Sequence, residues 1–460
     1  MKKNVIFILT DDQRYNTIHA LGNPEIHTPN LDWLAENGTV FEQAHIPGGT
    51  NGAICMPSRA MLNSGRSLFH LEAEGGNIPE SDITLAEVFR RDGYDCYGTG
   101  KWHNGCPAFT RGFTGGENVF FGGMWDHWNV PVSHYDPTGE YDNVINFVAD
   151  FFHTGETIQV HCDEFHPGVH STELLTNTAL DYLENRPQDR PFYLYLAYLA
   201  PHDPRTMPQR FKELYDPEKL TLPENFMERH PFEVGVEDIR DEILLPTPRT
   251  EEAVRRELAD YCAMISHLDY EIGRLLQSLR EKNLLEDTVL VFTGDNGLAV
   301  GCHGMLGKQN LYDHSVRVPL VFAGTGIPKN KKVENYVYLM DIYPTLCELT
   351  GHEVPDTVEG KSFAAMFGDG SVKTRETLYL AYRDLMRGVK DSRYKLIEYR
   401  GPVRRTQLFD LKEDPAELRD LSACPEQQEN LARLRALLER YRDQWEDLPS
   451  EISQTFWSRY

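Results

Sequence analysis

No stretch of this 460-residue chain carries the roughly 20 consecutive apolar residues that a membrane span needs. Basic residues are scarce as well. Lys and Arg number 46 against 71 Asp and Glu, a formal net charge of −25. That acidic excess argues against nucleic acid or an anionic membrane surface as partner. The eight cysteines (55, 96, 106, 162, 262, 302, 347 and 424) include no Cys-x-x-Cys and no tight repeat, so they read as reduced thiols. Met1-Lys2-Lys3 before Val5 to Leu9 has the look of an export signal. Its apolar run is too short, however, and it leads into Asp11-Asp12 with no small-residue cleavage site. These absences predict a cytoplasmic chain, or one whose export signal has been removed. Internal repeats and low-complexity tracts are also missing, and 40% hydrophobic with 11% aromatic residues is an ordinary globular composition.

What is present alternates. Val5-Ile6-Phe7-Ile8-Leu9 and Thr288-Val289-Leu290-Val291-Phe292 are continuous apolar runs, the pattern of strands buried on both faces of a parallel sheet. Further runs at 95–100, 192–198 and 319–323 lie among helical patterns at 29–37, 83–91, 174–184 and 252–282. That order predicts βαβ units around a large, mostly parallel sheet. Residues 111–154 and 204–248 show no period and read as long loops. Beyond 367 the texture changes to short strand-like runs at 377–382, 386–390, 394–399 and 407–411, then a polar helix over 425–445. The expected organisation is a catalytic domain over 1–366 and a smaller unit over 367–460, with an antiparallel sheet and a terminal helix.

Both long apolar runs end in carboxylates. Ligands of such sheets gather beyond the carboxyl ends of the strands. Asp11, Asp12, Asp295 and the Asn296 amide, brought together there, offer only oxygens, which suits Ca²⁺ or Mg²⁺. Either pair alone would equally be a turn or a helix cap. The third feature is Cys55-Met56-Pro57-Ser58-Arg59, continuing to Leu62-Asn63-Ser64-Gly65-Arg66. By residue type Cys55 could be a buried or helix-capping thiol. Pro57 favours a helix first turn, so position 55 is expected to open a helix, with Arg59 one turn on. Gly100-Lys101-Trp102-His103 and Pro201-His202-Asp203-Pro204 each follow a predicted strand, and Gly307-Lys308 precedes Leu311-Tyr312-Asp313 and Arg317-Val318-Pro319. Singly, these cations and histidines read equally as surface charges and structural residues. His70, His303 and His314 stay structural in this reading.

Taken together, the Cys-x-Pro-Ser-Arg element, the two acidic strand ends, these flanking motifs and the closing Leu408-Phe409-Asp410-Leu411 segment resemble the type I sulfatases of the alkaline phosphatase superfamily. The resemblance covers most of the chain and implies an alkaline-phosphatase-like α/β fold. It also implies a formylglycine made from Cys55 by a maturation enzyme that reads Ser58 and Arg59, with a metal bound by Asp11, Asp12, position 55, Asp295 and Asn296. Arg59, Lys101 and Lys308 would cradle the sulfate. His202, with Lys308 beside it, would protonate the departing alcohol, and His103 would take the proton that lets the aldehyde re-form and release sulfate. The implied substrate is a sulfate monoester of a carbohydrate, or a small aryl or alkyl sulfate. Trp125, Asp126, His127, Trp128, Tyr135 and Arg205 are candidates for the leaving-group pocket. Two other readings compete: a phosphodiesterase or phosphonate monoester hydrolase with the same nucleophile, and a non-catalytic binder of sulfated ligands with Cys55 unoxidised.

Overall fold

The computed structural model describes residues 2–148 and 155–460; residues 149–154, part of the stretch read as loop, lie outside the described residues. Val5 to Leu9 have no exposed surface at all, as a strand with neighbours on both edges and both faces requires. The main sheet contains β1 (Asn4–Thr10), β2 (Gly38–Phe41), β3 (Asp95–Lys101), β4 (Gly115–Phe120), β5 (Phe192–Ala197), β6 (Thr288–Gly294), β7 (Leu320–Gly324) and β8 (Lys331–Val333). Across the sheet the order is β8-β2-β7-β6-β1-β5-β3-β4. The block from β6 to β4 is parallel, and β7 alone is reversed, pairing antiparallel with both β6 and β2.

Alternation of side chains along β1 divides its residues between two cores. Val5, Phe7 and Leu9 point to one side, where α2 (Cys55–Ser64) and α3 (Leu85–Arg91) contribute Leu62, Leu85 and Phe89. Ile6 and Ile8 point to the other, against α1 (Pro29–Glu36), α4 (Ser171–Asn185) and the long α5 (Glu251–Glu281), which supply Leu31, Leu175, Leu268 and Ile272. The result is the expected helix–sheet–helix sandwich.

The loop reading beyond 111 needs correcting, first at Gly115–Phe120, which is the edge strand β4. Gly116 pairs with Gly98, and a Cβ on Gly116 would lie 2.4 Å from the Gly98 carbonyl oxygen. A Cβ on Gly98 would lie 2.6 Å from the Phe109 ring. Gly116 is thus kept small by that carbonyl and by the same ring at 3.1 Å, and a strand that opens Gly115-Gly116 carries its strand-like residues, Val119 and Phe120, only at its end. Farther on, Val144–Val148 pairs antiparallel with Thr157–His161. Residues 204–248 hold only short helical turns, as expected of a loop region.

The small sheet has the expected antiparallel strands β9 (Leu378–Tyr382), β10 (Met386–Lys390), β11 (Tyr394–Arg400) and β12 (Arg404–Asp410). It also borrows Gly48–Gly49 as a parallel edge, so the segment leading to Cys55 is tied into it. Two helices close the chain rather than one: α6 (Gln428–Gln444) and α7 (Glu451–Ser458), the latter capped by Ser450. Between them Asp447, fully buried, accepts from Arg387 Nε at 2.5 Å, from the Tyr379 hydroxyl at 2.5 Å and from Trp457 Nε1 at 3.0 Å. Asp447→Ala would strand the buried Arg387 charge. It is expected to cost about 3–5 kcal/mol in equilibrium urea unfolding, against a much smaller loss for the double variant Arg387→Met/Asp447→Leu.

Candidate active site

The four adjacent strands β6, β1, β5 and β3 deliver the site from their carboxyl ends. Asp11 and Asp12 follow β1, Asp295 and Asn296 follow β6, His202 follows β5, and Lys101 is the last residue of β3. Hydrogen bonds past the strand ends keep these in register: Asp295 N to Thr10 O at 3.0 Å, and Asp11 N to Ala200 O at 3.1 Å. Asp12 (φ 64°) and His103 (φ 71°) hold left-handed backbone that non-glycine residues seldom adopt, the kind of strain found at functional sites.

Cys55 opens α2, as expected, so the partial positive charge of the helix start falls at its thiol. Its Sγ lies 3.4 Å from Lys101 Nζ and 3.4 Å from His103 Nδ1. One turn on, Arg59 reaches Asp295 Oδ2 with Nε (2.7 Å) and the Lys101 carbonyl with NH1 (2.6 Å). Lys101 Nζ donates to Asp11 Oδ2 at 2.5 Å, and Lys308 Nζ to both Asp12 oxygens at 2.6 and 2.8 Å. Asn296 Nδ2 donates to Asp12 Oδ1 at 2.8 Å. His202 Nε2 lies 3.6 Å from Asp12 Oδ2. All ten residues proposed from the sequence, counting metal ligands and catalytic groups together, are therefore gathered in one buried pocket.

Charge in that pocket is balanced pairwise, with Asp11, Asp12 and Asp295 facing Lys101, Lys308 and Arg59. Burial alone would raise Asp11, but Lys101, His202, Arg59 and Lys308 outweigh it and hold the carboxyl well below its ordinary range. Burial and the neighbouring Asp11 charge raise Asp295. Burial also raises the Cys55 thiol in spite of Lys101, and burial with Lys101 and Arg59 keeps His103 neutral. Position 55 is therefore not tuned as a thiolate nucleophile.

The donor set fits a hard divalent cation. Asp11 Oδ1 and Asn296 Oδ1 are buried without a hydrogen-bond partner, an expensive condition that a metal ion would relieve. Ligand atoms of Asp11, Cys55 and Asp295 lie within 4.8 Å of one another, as do those of Asp11, Asp12 and His202.

The residues proposed for the leaving-group pocket have the following contacts within the protein. His127 is buried, with Nδ1 2.7 Å from Ser171 Oγ and Nε2 2.9 Å from the His202 carbonyl oxygen. Arg205 is ion-paired with Glu257 and lies over the Tyr261 ring. Asp126 accepts from the Trp128 backbone, Trp125 packs against Phe147 and Phe165, and Tyr135 packs on the main core. His303 stacks on Tyr312 at 3.8 Å, and His70 Nδ1 lies 2.6 Å from Glu359 Oε1. Asp203, Arg240, Asp241 and Gln309 were not singled out. Arg240 clamps the Asp203 carboxylate, and Gln309 Nε2 donates to Asp241 at 2.7 Å. Of these only Asp203 and Gln309 adjoin a recognisable motif, since Arg240 and Asp241 sit in the aperiodic stretch 204–248.

This fold and site define a sulfuric ester hydrolase of the alkaline phosphatase superfamily. The chain belongs to the Sulfatase family, whose profile matches residues 3–352. Residues 301–444 match "N-sulphoglucosamine sulphohydrolase, C-terminal". A "Sulfatase" of Formosa agariphila is 28% identical over 485 residues, spanning 99% of this chain and 89% of that protein. Among solved structures, BT4656 in complex with its substrate D-glucosamine-2-N,6-O-disulfate superimposes with a TM-score of 0.79 at 20% identity, over 99% and 100% of the two chains. The phosphonate monoester hydrolase of Agrobacterium radiobacter shares the fold at a TM-score of 0.71 and 22% identity, over 95% and 96% of the two chains.

Behind the site, His127, His170 and His267 form a contiguous buried cluster: His127 stacks on His170 at 5.2 Å between ring centroids, and His267 meets His170 edge to face at 4.7 Å. Burial pushes their pKa values down to about 4, 2 and 3. Each imidazole is neutral in the fold but takes up a proton near pH 6.5 when unfolded, so its contribution to stability is present above that pH and lost as pH falls toward the folded value. Well below pH 6.5 the three together should remove stability by about 4 kcal/mol per pH unit. His267→Leu is expected to flatten that slope by about a third, read from urea midpoints between pH 6.5 and 5.

Proposed function

We propose that this sulfatase hydrolyses sulfate monoesters of carbohydrates with a formylglycine made from Cys55 and a bound Ca²⁺, with Mg²⁺ as the alternative metal. The observation that carries this reading is position 55 itself: a helix-opening cysteine with a raised thiol pKa, 3.4 Å from both Lys101 and His103. The residues that would hold the cation are Asp11, Asp12, Asp295 and Asn296, with position 55 beside them. When installed, formylglycine supplies a hydrated aldehyde as nucleophile, and the cation supplies charge neutralisation and orientation.

The chain's own residues account for the rest. Three cations already neutralise three carboxylates, so a divalent ion leaves the pocket with positive charge for a sulfate anion. His202 Nδ1 donates to the Asp203 carbonyl at 2.8 Å and Nε2 faces the site; with both ring nitrogens protonated, His202 gives its Nε2 proton to the departing oxygen and is left neutral with the Nδ1 bond intact. Neutral His103 accepts a proton from position 55 through Nδ1. Lys101, Lys308 and Arg59 fix the anion.

The sugar class is supported by the BT4656 complex and by the N-sulphoglucosamine sulphohydrolase match. Ser58 and Arg59, which the maturation enzyme would read, are 1% and 0% exposed, which supports modification before folding is complete. Eight unpaired cysteines support a reducing, cytoplasmic setting.

Cys55→Ala should fold like the wild type and lose more than about a thousandfold in turnover. Peptide mass of the position-55 segment should show the aldehyde in active wild-type enzyme. On a panel of sulfated monosaccharides, 4-nitrophenyl sulfate and 4-nitrophenyl phosphate, the sugar sulfates should give the highest kcat/KM and the phosphate the lowest. Wild-type turnover by Cys55→Ala, or a preference for the phosphate, sinks the assignment.

Because Lys and Arg already pair with the carboxylates, removing the cation should silence the enzyme without unfolding it. Chelation verified by elemental analysis is expected to abolish turnover, and Ca²⁺ at about a hundred times Kd should restore it and add about 3 kcal/mol of stability. Asp295→Ala should lose both responses. Full activity of metal-free enzyme counts against the site.

A further inference from the structure

His202 is held from two sides by segments that have no part in the main sheet. On one side His127 Nε2 meets the His202 carbonyl oxygen at 2.9 Å. A carbonyl only accepts, so Nε2 carries the proton, and the Ser171 hydroxyl donates to Nδ1 at 2.7 Å. Ser171 opens α4, and His127 is 1% exposed, so this support is rigid. Burial keeps His127 neutral, which fixes these directions: Nε2 donates and Nδ1 accepts.

On the other side the His202 ring is fixed by Asp203. Its Nδ1 donates to the Asp203 carbonyl at 2.8 Å and lies 3.4 Å from the Asp203 carboxylate. Arg240 grips that carboxylate with both terminal nitrogens, NH1 to Oδ1 at 3.0 Å and NH2 to Oδ2, and adds a bond to Asp241 at 3.3 Å. The backbone of His202 is thus anchored through residue 127 and its ring through residue 240.

We propose that His127 and Arg240 are positioning residues that aim His202 Nε2 at the leaving oxygen. The inference rests on His202 being the acid of the proposed mechanism. Proton transfer to a departing alkoxide depends steeply on alignment, whereas a nitrophenolate leaves without help. Misaiming the acid therefore has a signature that a general loss of packing lacks: it depends on the leaving group.

The test uses the full-length holoenzyme with two probes, 4-nitrophenyl sulfate and the best sugar sulfate of the panel. His127→Phe and Arg240→Met should each lower kcat on the sugar sulfate by about 10- to 100-fold with little change in KM, and change 4-nitrophenyl sulfate turnover by less than about threefold. His127→Gln, whose amide can donate to the same carbonyl, and Arg240→Lys should recover part of the loss. Arg240, with a side chain 40% exposed, keeps the test alive if His127→Phe does not fold. Equal losses on both probes, or none on either, overturn the proposal. His202→Ala run in parallel separates the two levels. If it shows the leaving-group dependence and the positioning variants do not, this inference alone fails; if it shows none, the acid assignment fails and takes the inference with it.

Discussion

The guanidinium of Arg59 is the contact on which the site depends. It is fully buried and joins α2 to the Asp295 carboxylate and the Lys101 carbonyl, with Asp11 3.8 Å away. Three strand ends and one helix are thereby locked at a single charged centre. Desolvating such a charge is costly, and only the surrounding carboxylates and carbonyl repay it. Around it the other cations are distributed in the same way, Lys101 on Asp11 and Lys308 on Asp12. The pocket is therefore assembled and electrically balanced by the protein alone, and added ions or substrates change its net charge rather than build it.

That balance answers the problem posed by the composition. A chain with a net charge of −25 must bind an anion. The proposed site meets that need by sequestering three cations and three carboxylates away from solvent, where the local field is set by contacts of 2.5 to 2.8 Å and not by the distant surface. Histidines near the site are used differently. His103 sits beside position 55, while His127, His170 and His267 cluster neutral behind it and help to build the wall on which His202 rests.

The small C-terminal sheet is joined to this centre through backbone. Gly48–Gly49 pairs with β9, and a Cβ on Gly48 would approach the Ala381 carbonyl oxygen to 2.0 Å, so only glycine permits the join. A second join is made by a buried ionic group: Asp313, beyond Lys308, accepts from Lys390 at 2.6 Å and Lys395 at 2.7 Å. Sheet, loop and α2 are thus held as one structure.

Much of this was legible in the order of residues. The apolar runs of β1 and β6 announce double-sided burial, and Asp11, Asp12, Asp295, Lys101 and His202 at or just past strand ends follow from it, because neighbouring parallel strands all finish on the same side. Cys55 and Arg59 are fixed relative to each other by one helical turn. Other features are invisible in one dimension. β4 opens on Gly115-Gly116, the second kept small by the Gly98 carbonyl and the Phe109 ring, and the reversal of β7 leaves no mark in its composition. His127 looks like a ligand-facing residue and is instead a prop, because the hydrogen bond that defines it is made to a carbonyl 75 residues away. Arg240 belongs to an aperiodic segment, where no repeating pattern says which way a side chain points. The sequence alone determined which chemical groups exist and which strand ends carry them, since local periodicity and spacing are enough for that. Only the tertiary structure decided which loops support them, because long-range contacts of polar side chains obey no period.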